Sequence, residues 1–388
     1  REPDIPPATE TPAEHPEAAP PATGHPTPAV KPLTWALAIA TYQRHDVLMD
    51  CVGLALAQTR PPAEVVIADA SPNWTDGRDQ LFARFCDAYP NVTFIYEQAR
   101  RPSAAVQRNQ VAELATADIL FLIDDDSLMH PGCAAEVLDL YELDPDHHVA
   151  GIALLETPID PRQSPLAPGQ AAPACTSPQA QSSAAKPHSG LVRWVRRLLD
   201  ADNLFIPYDA EFPDHPTPPA IAQAKHVGTR QLMAGKTMTA RRELVLREPF
   251  SELLDRAANG EDSDMSYRLS RHGALLTALD APLFHLGSPG GRMKPFQNAA
   301  LGALNPLVHH RLHSTDLERS RKANRALLRR RRVIALLKDL KARRWSLPEA
   351  RGYHFALRHL DTVLDQSPEA LPDWYPAFQK QITEGRRD

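Results

Sequence analysis

The stretch that decides the fold runs from Asp118 to Asp126 and reads Asp-Ile-Leu-Phe-Leu-Ile-Asp-Asp-Asp. Its apolar centre has the length and composition of a buried strand, and it ends directly in three carboxylates. Three similar apolar runs precede it, and a longer helical pattern follows each of them. Short buried strands that alternate with helices predict βαβ units and an α/β fold with a mainly parallel sheet.

The elements expected before the acidic stretch can be placed by this periodicity. Strands are predicted at 36–41, 64–68, 92–96 and 118–123, with helices at 46–58, 77–89 and 103–116. Ligands of open α/β sheets bind beyond the carboxyl ends of the strands. The residues that follow each strand are therefore the candidates for a functional site.

The three carboxylates at the end of the fourth strand form the first candidate site. In an extended segment Asp124 and Asp126 face one way and Asp125 the other. Adjacent buried carboxylates repel one another unless a cation lies among them. Mg²⁺ or Mn²⁺, bridging to a substrate phosphate, suits this set of oxygen ligands. A solvated acidic turn that caps the next helix is the alternative.

The turns after the first two strands carry further polar residues. Ala40-Thr-Tyr-Gln-Arg44 follows the first strand, and Asp69-Ala-Ser71 follows the second. Together with the acidic strand end, these turns resemble the family-2 inverting glycosyltransferases of the GT-A fold. The resemblance covers about Leu33 to Gly287, without the insertion described below. It implies a Rossmann-like GT-A domain, with a sheet flanked by helices, that binds a sugar nucleotide.

The resemblance also implies roles for single residues. Asp69 is expected to contact the nucleotide base, and Asp124 and Asp126 to hold the metal and the sugar nucleotide. The other nucleotide-sugar-binding positions before residue 130 are Thr41, Tyr42, Arg44, Arg108 and Asp125. For Asp69 a plain turn former is the alternative.

The segment from Gln98 to Asn109 departs from the family pattern. It takes the place of the family's N-x-G-x-x-x-A-R-N segment, and Arg108 and Asn109 match its end. The glycine is missing, and Pro102 and Ser103 stand near its place. A non-catalytic member that binds sugar nucleotides or a partner is an alternative that this departure leaves open.

A second acidic motif lies further along the chain. Residues 259–268, Asn-Gly-Glu-Asp-Ser-Asp-Met-Ser-Tyr-Arg, resemble the family's G-E-D-x-D-L-x-x-R motif. An inverting transfer needs a general base that takes the proton of the acceptor hydroxyl. The resemblance implies Asp262 for this role, with Glu261 as the close rival. The alternative is that these acids only stabilise the first turn of a helix.

Two elements after this motif complete the expected site. His285 follows the next apolar run, where many family members place a metal-binding histidine, and imidazole is an acceptable ligand for Mn²⁺. A surface or core histidine is the alternative. The loop 288–294 carries Arg292, which is expected to close over the diphosphate and stabilise the departing charge. A flexible connector is the alternative for this loop.

Proline marks the edges of the expected domain. The chain of 388 residues has 38 prolines, and ten of them lie in residues 1–32, which are predicted to be a disordered arm. A second proline-rich stretch at about 157–190 is predicted to be a surface insertion. The resulting division is the arm at 1–32, a GT-A domain at 33–300 and a helical extension at 301–388.

Charge and cysteine content restrict the partners. The net charge of −5 gives no reason to expect nucleic acid, and four dispersed cysteines without a C-x-x-C pair fit a reducing compartment. No apolar run is long enough to span a membrane. Residues 311–344 hold thirteen Lys or Arg and three acids. This basic helix is predicted to lie on anionic lipid, to bind a polyanion, or to pack with a solvated basic face.

The expected function is a metal-dependent inverting transfer from a nucleotide diphosphate sugar to a glycan, lipid-linked or polysaccharide acceptor. The expected cofactor is Mn²⁺ or Mg²⁺, and the expected location is the cytoplasm, with peripheral contact at the inner face of the membrane. A nucleotidyltransferase that builds the sugar nucleotide is the rival enzyme class. It should carry a glycine-rich loop near the first strand, and Thr41 to Asp46 has no glycine.

Overall fold

One mixed sheet forms the centre of the described chain. The computed structural model describes residues 32–175, 205–209, 211–254, 260–288 and 293–384. The predictions for the arm at 1–31, for the insertion beyond residue 175 and for Arg292 lie outside the described residues. The strands are β1 (Trp35–Thr41), β2 (Glu64–Asp69), β3 (Thr93–Gln98), β4 (Ile119–Phe121), β5 (Ser127–Met129), β6 (Val149–Glu156), β7 (Val227–Arg230), β8 (Met238–Arg241) and β9 (Ala274–His285).

The helices fall into two groups, one around the sheet and one at the C-terminus. Those around the sheet are α1 (His45–Leu56), α2 (Trp74–Phe85), α3 (Ala104–Leu114), α4 (Cys133–Glu142), α5 (Pro219–Ala224), α6 (Arg242–Arg247) and α7 (Glu261–Leu269). Those at the C-terminus are α8 (Pro295–His313), α9 (Leu317–Lys341), α10 (Pro348–Leu364) and α11 (Leu371–Glu384).

The sheet is parallel in its first half and mixed in its second. Its order is β3-β2-β1-β4-β8-β6-β9-β5, and β7 also pairs with β9. Strands β1 to β4 pair in parallel because a helix crosses over between each consecutive pair. Strand β8 is antiparallel to β4 and β6, and β5 and β7 are antiparallel to β9. The predicted α/β class is confirmed, and its parallel part is strictest in β1–β4.

All seven elements expected before the acidic turn are present, with shifted ends. The second helix starts at Trp74 and ends at Phe85, a few residues before its expected bounds. Strand β4 ends at Phe121, although Leu122 and Ile123 are as apolar and as buried as the residues before them. Hydrophobicity therefore predicted the buried segment correctly but not the point where regular pairing stops.

Alternating side chains of β1 build two core layers. Trp35, Leu37 and Ile39 pack on one face of the sheet in the same cluster as residues of α1 and α4. Ala36 and Ala38 lie on the other face, in the cluster that contains residues of α3. The small alanine side chains leave room for α3 to lie close to the sheet, and Gln107 of that helix donates to the Thr41 and Ala68 carbonyls at 2.8 Å. Helix α3 is thereby fixed to the carboxyl ends of β1 and β2.

The C-terminal helices have a hydrophobic cluster of their own. Leu301, Leu304 and Leu360 are buried in it, together with Tyr375 of α11. A Cβ at Gly352 would lie 2.6 Å from the Phe296 carbonyl, so α8 and α10 approach closely at this glycine. The predicted helical extension is therefore confirmed. No helix among the described residues is both long and apolar enough to cross a bilayer.

Candidate functional site

The acidic turn between β4 and β5 lies at the carboxyl end of the parallel strands. The side chain of Asp126 is 3% exposed and that of Asp124 is 37% exposed. Asp124 and Asp126 both approach His285 at the end of β9. Asp125 instead faces the turn after β1. The turn thus presents two carboxylates to one side and one to the other.

Asp125 ties the acidic turn to the turn after β1. The Thr41 hydroxyl donates to Asp125 Oδ2 at 2.7 Å, and Arg44 Nη1 donates to Oδ1 at 3.0 Å. Burial raises the pKa of Asp125 to about 6, although both of these donors oppose that shift. Tyr42 is exposed beside these residues. Thr41, Arg44 and Asp125 are therefore brought together, and their contact with a donor stays a prediction.

Asp124, Asp126 and His285 form a group with metal-ligand geometry. One ligand atom from each lies within 4.8 Å of the others, and His285 Nε2 is 3.2 Å from Asp126 Oδ1 and 4.0 Å from Asp124 Oδ2. Asp126 Oδ1 is buried and accepts no hydrogen bond with regular geometry, and the neighbouring His285 Nε2 lies 3.2 Å from it. A buried oxygen without a partner beside an imidazole and a second carboxylate fits a divalent cation.

The other oxygen of Asp126 is held by the protein. The Ser288 amide donates to Asp126 Oδ2 at 2.8 Å, and Arg44 Nη1 lies 3.6 Å from the same atom. Burial by itself would raise the pKa of Asp126, but His285, the Ser288 amide and Arg44 together lower it to about 2. The side chain is therefore a fixed carboxylate at neutral pH.

Arg108 of α3 connects the acidic turn with α7. Its Nη2 donates to Asp124 Oδ1 at 2.9 Å, and its Nη1 donates to Glu261 Oε1 at 2.8 Å. The guanidinium also lies 5.5 Å from the centre of the Phe250 ring. A Cβ at Gly235 would be 2.6 Å from Arg108 Nη2, so only glycine leaves room for the arginine there. The sequence did not indicate this contact, because the two residues are far apart along the chain.

The first turn of α7 carries the two acids proposed from the second motif. Burial, followed by the neighbouring Asp262, raises the pKa of Glu261 to about 7, and Arg108 opposes the shift. Asp262 is half-buried, and its carboxylate accepts from the Gly235 amide at 3.1 Å and from the Ser263 amide at 2.7 Å. Glu261 thus binds Arg108, and Asp262 binds the Gly235 amide, so the two acids lie on either side of the close approach of Arg108 to Gly235.

Asp69 at the end of β2 is fully enclosed by protein groups. Its Oδ1 accepts from the Ser71 amide at 2.7 Å and from the Ser71 hydroxyl. Its Oδ2 accepts from the Tyr96 hydroxyl at 2.7 Å and lies 2.8 Å from His45 Nε2. The side chain is 0% exposed. The expected contact of Asp69 with a nucleotide base stays a prediction, and the sequence did not indicate His45 or Tyr96 as its partners.

The part of the chain that contains β1 and the acidic turn is similar to a known protein family. Residues 36–161 match the model of glycosyl transferase family 2. Residues 36–161 thus have the sequence character of a glycosyl transferase family 2 domain. This assignment, with the α/β sheet around the acidic turn, confirms the resemblance and the GT-A class expected from the sequence.

One curated relative is the glucosyl-dolichyl phosphate glucuronosyltransferase of Haloferax volcanii. It is 28% identical over 120 residues, which cover 30% of this chain and 36% of the relative. The match therefore spans about a third of that relative's length.

Two solved structures overlap with this chain at low identity. GalNAc-T7 with UDP, GalNAc and Mn²⁺ is 16% identical, with a TM-score of 0.49 and coverage of 71% of this chain and 47% of the other. The mannosyltransferase PcManGT of Pyrobaculum calidifontis, in complex with GDP-Man and Mn²⁺, is 16% identical, with a TM-score of 0.43 and coverage of 91% and 85%.

Proposed function

We propose that this protein transfers a sugar from a nucleotide diphosphate sugar to an acceptor hydroxyl, with inversion at the anomeric carbon. One observation carries the proposal: Arg108 joins a group with metal-ligand geometry to Glu261 at the start of α7, next to Asp262. A metal site alone suits many functions. A metal site coupled through one buried arginine to a candidate base is what a displacement at a sugar diphosphate needs.

Asp124, Asp126 and His285 would hold Mn²⁺ or Mg²⁺. The bound ion would neutralise charge on the diphosphate leaving group. Asp126 is already fixed for this role by the Ser288 amide, and its unpartnered Oδ1 is the atom offered to the ion. Thr41, Tyr42, Arg44, Asp69, Arg108 and Asp125 are the proposed donor-binding residues. Arg292, outside the described residues, remains a prediction for the same function.

Asp262 is the proposed general base. Its half-buried carboxylate is held by two backbone amides, so it keeps one orientation and stays reachable by an acceptor. Glu261 is the rival, because a pKa of about 7 suits proton transfer near neutral pH. Its carboxylate is buried against Arg108, however, which favours a role in orienting that arginine.

The acceptor is proposed to be a glycan, a polysaccharide or a lipid-linked sugar. The name of the Haloferax relative specifies a glucosyl-dolichyl phosphate, so lipid-linked acceptors are the first class to test. A lipid-linked acceptor also suits the proposed peripheral location at the inner face of a membrane.

A donor panel tests the proposal directly. UDP-, GDP- and dTDP-sugars, each with Mn²⁺, Mg²⁺ or EDTA, are compared by thermal shift and by release of the nucleoside diphosphate. We expect at least one donor to raise the unfolding temperature only when metal is present, because a ligand stabilises the state that binds it. The anomeric configuration of the product, read by NMR, tests inversion. If no donor binds, the proposed function is wrong.

Variants of α7 then separate the two candidate bases. Asp262→Asn should abolish transfer and leave donor binding intact, since the base acts on the acceptor. Glu261→Gln should retain measurable transfer and weaken donor or metal binding. The reverse outcome would assign the base to Glu261. Glu318→Gln, an exposed change on α9, is the matched control.

A further inference from the structure

The outer face of the second half of α9 exposes a row of apolar side chains. Val333 is 55% exposed, Leu336 36%, Leu337 55% and Leu340 42%, and Trp345 just beyond the helix is 75% exposed. Positions three and four apart lie on one face of a helix, so the four aliphatic side chains form one stripe. Scattered exposed apolar residues are common, but a contiguous stripe with an exposed tryptophan marks an interaction surface.

Two arginines in the first half of α9 are paired with acids of the protein. Arg321 and Arg325 both pair with Asp361 of α10, and Arg321 also pairs with Asp365 at 2.6 Å. These pairs hold α9 against α10. Lys322, also in this half, is exposed and forms no ion pair with any described residue.

Four basic residues in the second half of α9 and just after it differ. Arg329, Lys338, Lys341 and Arg343 are exposed and form no ion pair with any described residue. They flank the apolar stripe on the same stretch of chain. Four exposed basic residues without an ion pair therefore accompany the exposed apolar side chains, whereas Arg321 and Arg325 are paired within the protein.

We propose that this surface docks on an anionic lipid membrane. The surface comprises Arg329, Val333, Leu336, Leu337, Lys338, Leu340, Lys341, Arg343 and Trp345, and is called the α9 outer face below. Aliphatic and tryptophan side chains enter the boundary between headgroups and acyl chains, while Lys and Arg meet anionic headgroups. The α9 outer face supplies both kinds of group along the end of one helix and the residues just after it, and no described helix has the length and hydrophobicity of a membrane span.

Other occupants fit the α9 outer face less well. Nucleic acid or another polyanion would pair with the four cations but leave the apolar stripe in water. A second copy of the chain in a two-fold dimer would bury the stripe but bring the free cations of both copies together. A lipid surface that is anionic at its headgroups and apolar beneath them would both pair with the cations and bury the apolar side chains. The proposal does not depend on the glycosyl transfer proposed above.

Vesicle binding by the full chain tests the proposal. Flotation with vesicles of neutral phosphatidylcholine is compared with vesicles that also contain phosphatidylglycerol, at low and high salt. We expect binding to the anionic vesicles alone, and weaker binding as salt rises. The double change Leu336→Ser with Leu337→Ser should lower the affinity roughly tenfold or more, because each removed side chain loses its burial in the acyl boundary.

Matched variants separate docking from a general loss of stability. Leu246→Ser removes a leucine on α6 that is 40% exposed, outside the α9 outer face, and should leave vesicle binding unchanged. The double change Lys341→Gln with Arg343→Gln should weaken binding to anionic vesicles, while Lys380→Gln on α11 should not. Because the substituted residues are exposed, all variants should unfold near the wild-type temperature.

Tryptophan emission gives an independent measurement at one residue. Vesicles should shift the emission to shorter wavelength, and Trp345→Phe should remove the shift while the protein still floats with the vesicles. Several results would overturn the proposal: equal binding to neutral vesicles, no binding at all, or unchanged binding by the Leu336/Leu337 double variant. Binding to heparin or DNA without binding to vesicles would do so too. A dimer that Leu337→Asp dissociates would show that the face is a subunit interface instead.

Discussion

Two buried aspartates at the same edge of the sheet differ in how the protein treats their oxygens. Asp69 ends β2, and both of its oxygens are engaged by Ser71, Tyr96 and His45. Asp126 follows β4 and is almost as deeply buried, yet its Oδ1 has no hydrogen-bond partner. Buried polar atoms are nearly always paired. The unpaired oxygen, rather than burial or position, distinguishes the carboxylate that is open to a metal ion from the one whose oxygens are already satisfied by protein groups.

The largest effect expected from this difference concerns Asp126→Asn. With its oxygen held by the Ser288 amide, asparagine would turn an uncharged NH₂ group, which cannot ligate a metal, to the place of Oδ1, so we expect transfer to fall by roughly a hundredfold or more. The unfolding temperature should change little, because asparagine still offers an oxygen to the Ser288 amide. Initial rates and a Mn²⁺ titration check this, with Asp79→Asn as the exposed control. Wild-type activity in Asp126→Asn would show that the metal assignment is wrong.

A second prediction concerns Gly235, which makes room for the arginine beside the acidic turn. In Gly235→Ala the new Cβ would collide with Arg108 Nη2, so the arginine should lose its contact with Asp124 or with Glu261. We expect the rate of transfer to fall about tenfold, because Arg108 would no longer hold both Asp124 and Glu261 in place. Gly228→Ala is the control, because its Cβ would find only Thr277 at 4.0 Å. Equal activity in the two alanine variants would contradict the role given to Arg108.

Asp69→Asn tests whether the fully hydrogen-bonded carboxylate of Asp69 stabilises the folded protein. The NH₂ group of the asparagine would replace one of the two oxygens that now accept hydrogen bonds from Ser71 and Tyr96. One of these buried hydrogen-bond donors would therefore lose its acceptor. We expect the free energy of unfolding to fall by about 1–3 kcal/mol, measured by urea denaturation. Should the variant keep its stability and lose affinity for the donor, Asp69 would instead be a ligand-binding residue, as the family resemblance implies.

The smallest expected effect is a pH dependence of stability at Glu261. The pKa of about 7 lies above the ordinary value of 4.5, so the folded state favours the protonated form. Its contribution to stability is fully present below pH 4.5 and is lost as the pH rises through 7. Urea denaturation in EDTA across this range should show a decline, on the order of 1 kcal/mol, that is weaker in Glu261→Gln. The same decline in both proteins would assign it to other groups.

The sequence predicted the helices and strands better than it predicted the partners of individual polar side chains. Apolar periodicity placed α1 to α3 and β1 to β4, since burial of alternate side chains is a local property. The sequence also indicated Asp124, Asp126 and His285 as a group, which the structure brings within metal-ligand distance. It could not show that Asp69 is enclosed, because His45 and Tyr96 reach it from other elements.

The same limit applies to the basic tail and to Gly235. The thirteen basic residues of 311–344 look alike in the sequence. Only the fold shows that Arg321 and Arg325 face acids of α10 whereas Lys341 and Arg343 do not. Gly235 and Arg108 are more than a hundred residues apart, so no local pattern predicts their contact.

Three consecutive polar side chains of α3 impose a constraint on the length of that helix. Gln107 binds the ends of β1 and β2, Arg108 binds Asp124 and Glu261, and Asn109 pairs with both backbone groups of Phe250. One residue added or removed before them would turn all three by about 100°. Substitutions here would each break one connection, but a single insertion would break all of them. Variation in length should therefore be absent from α3 among proteins that share this site.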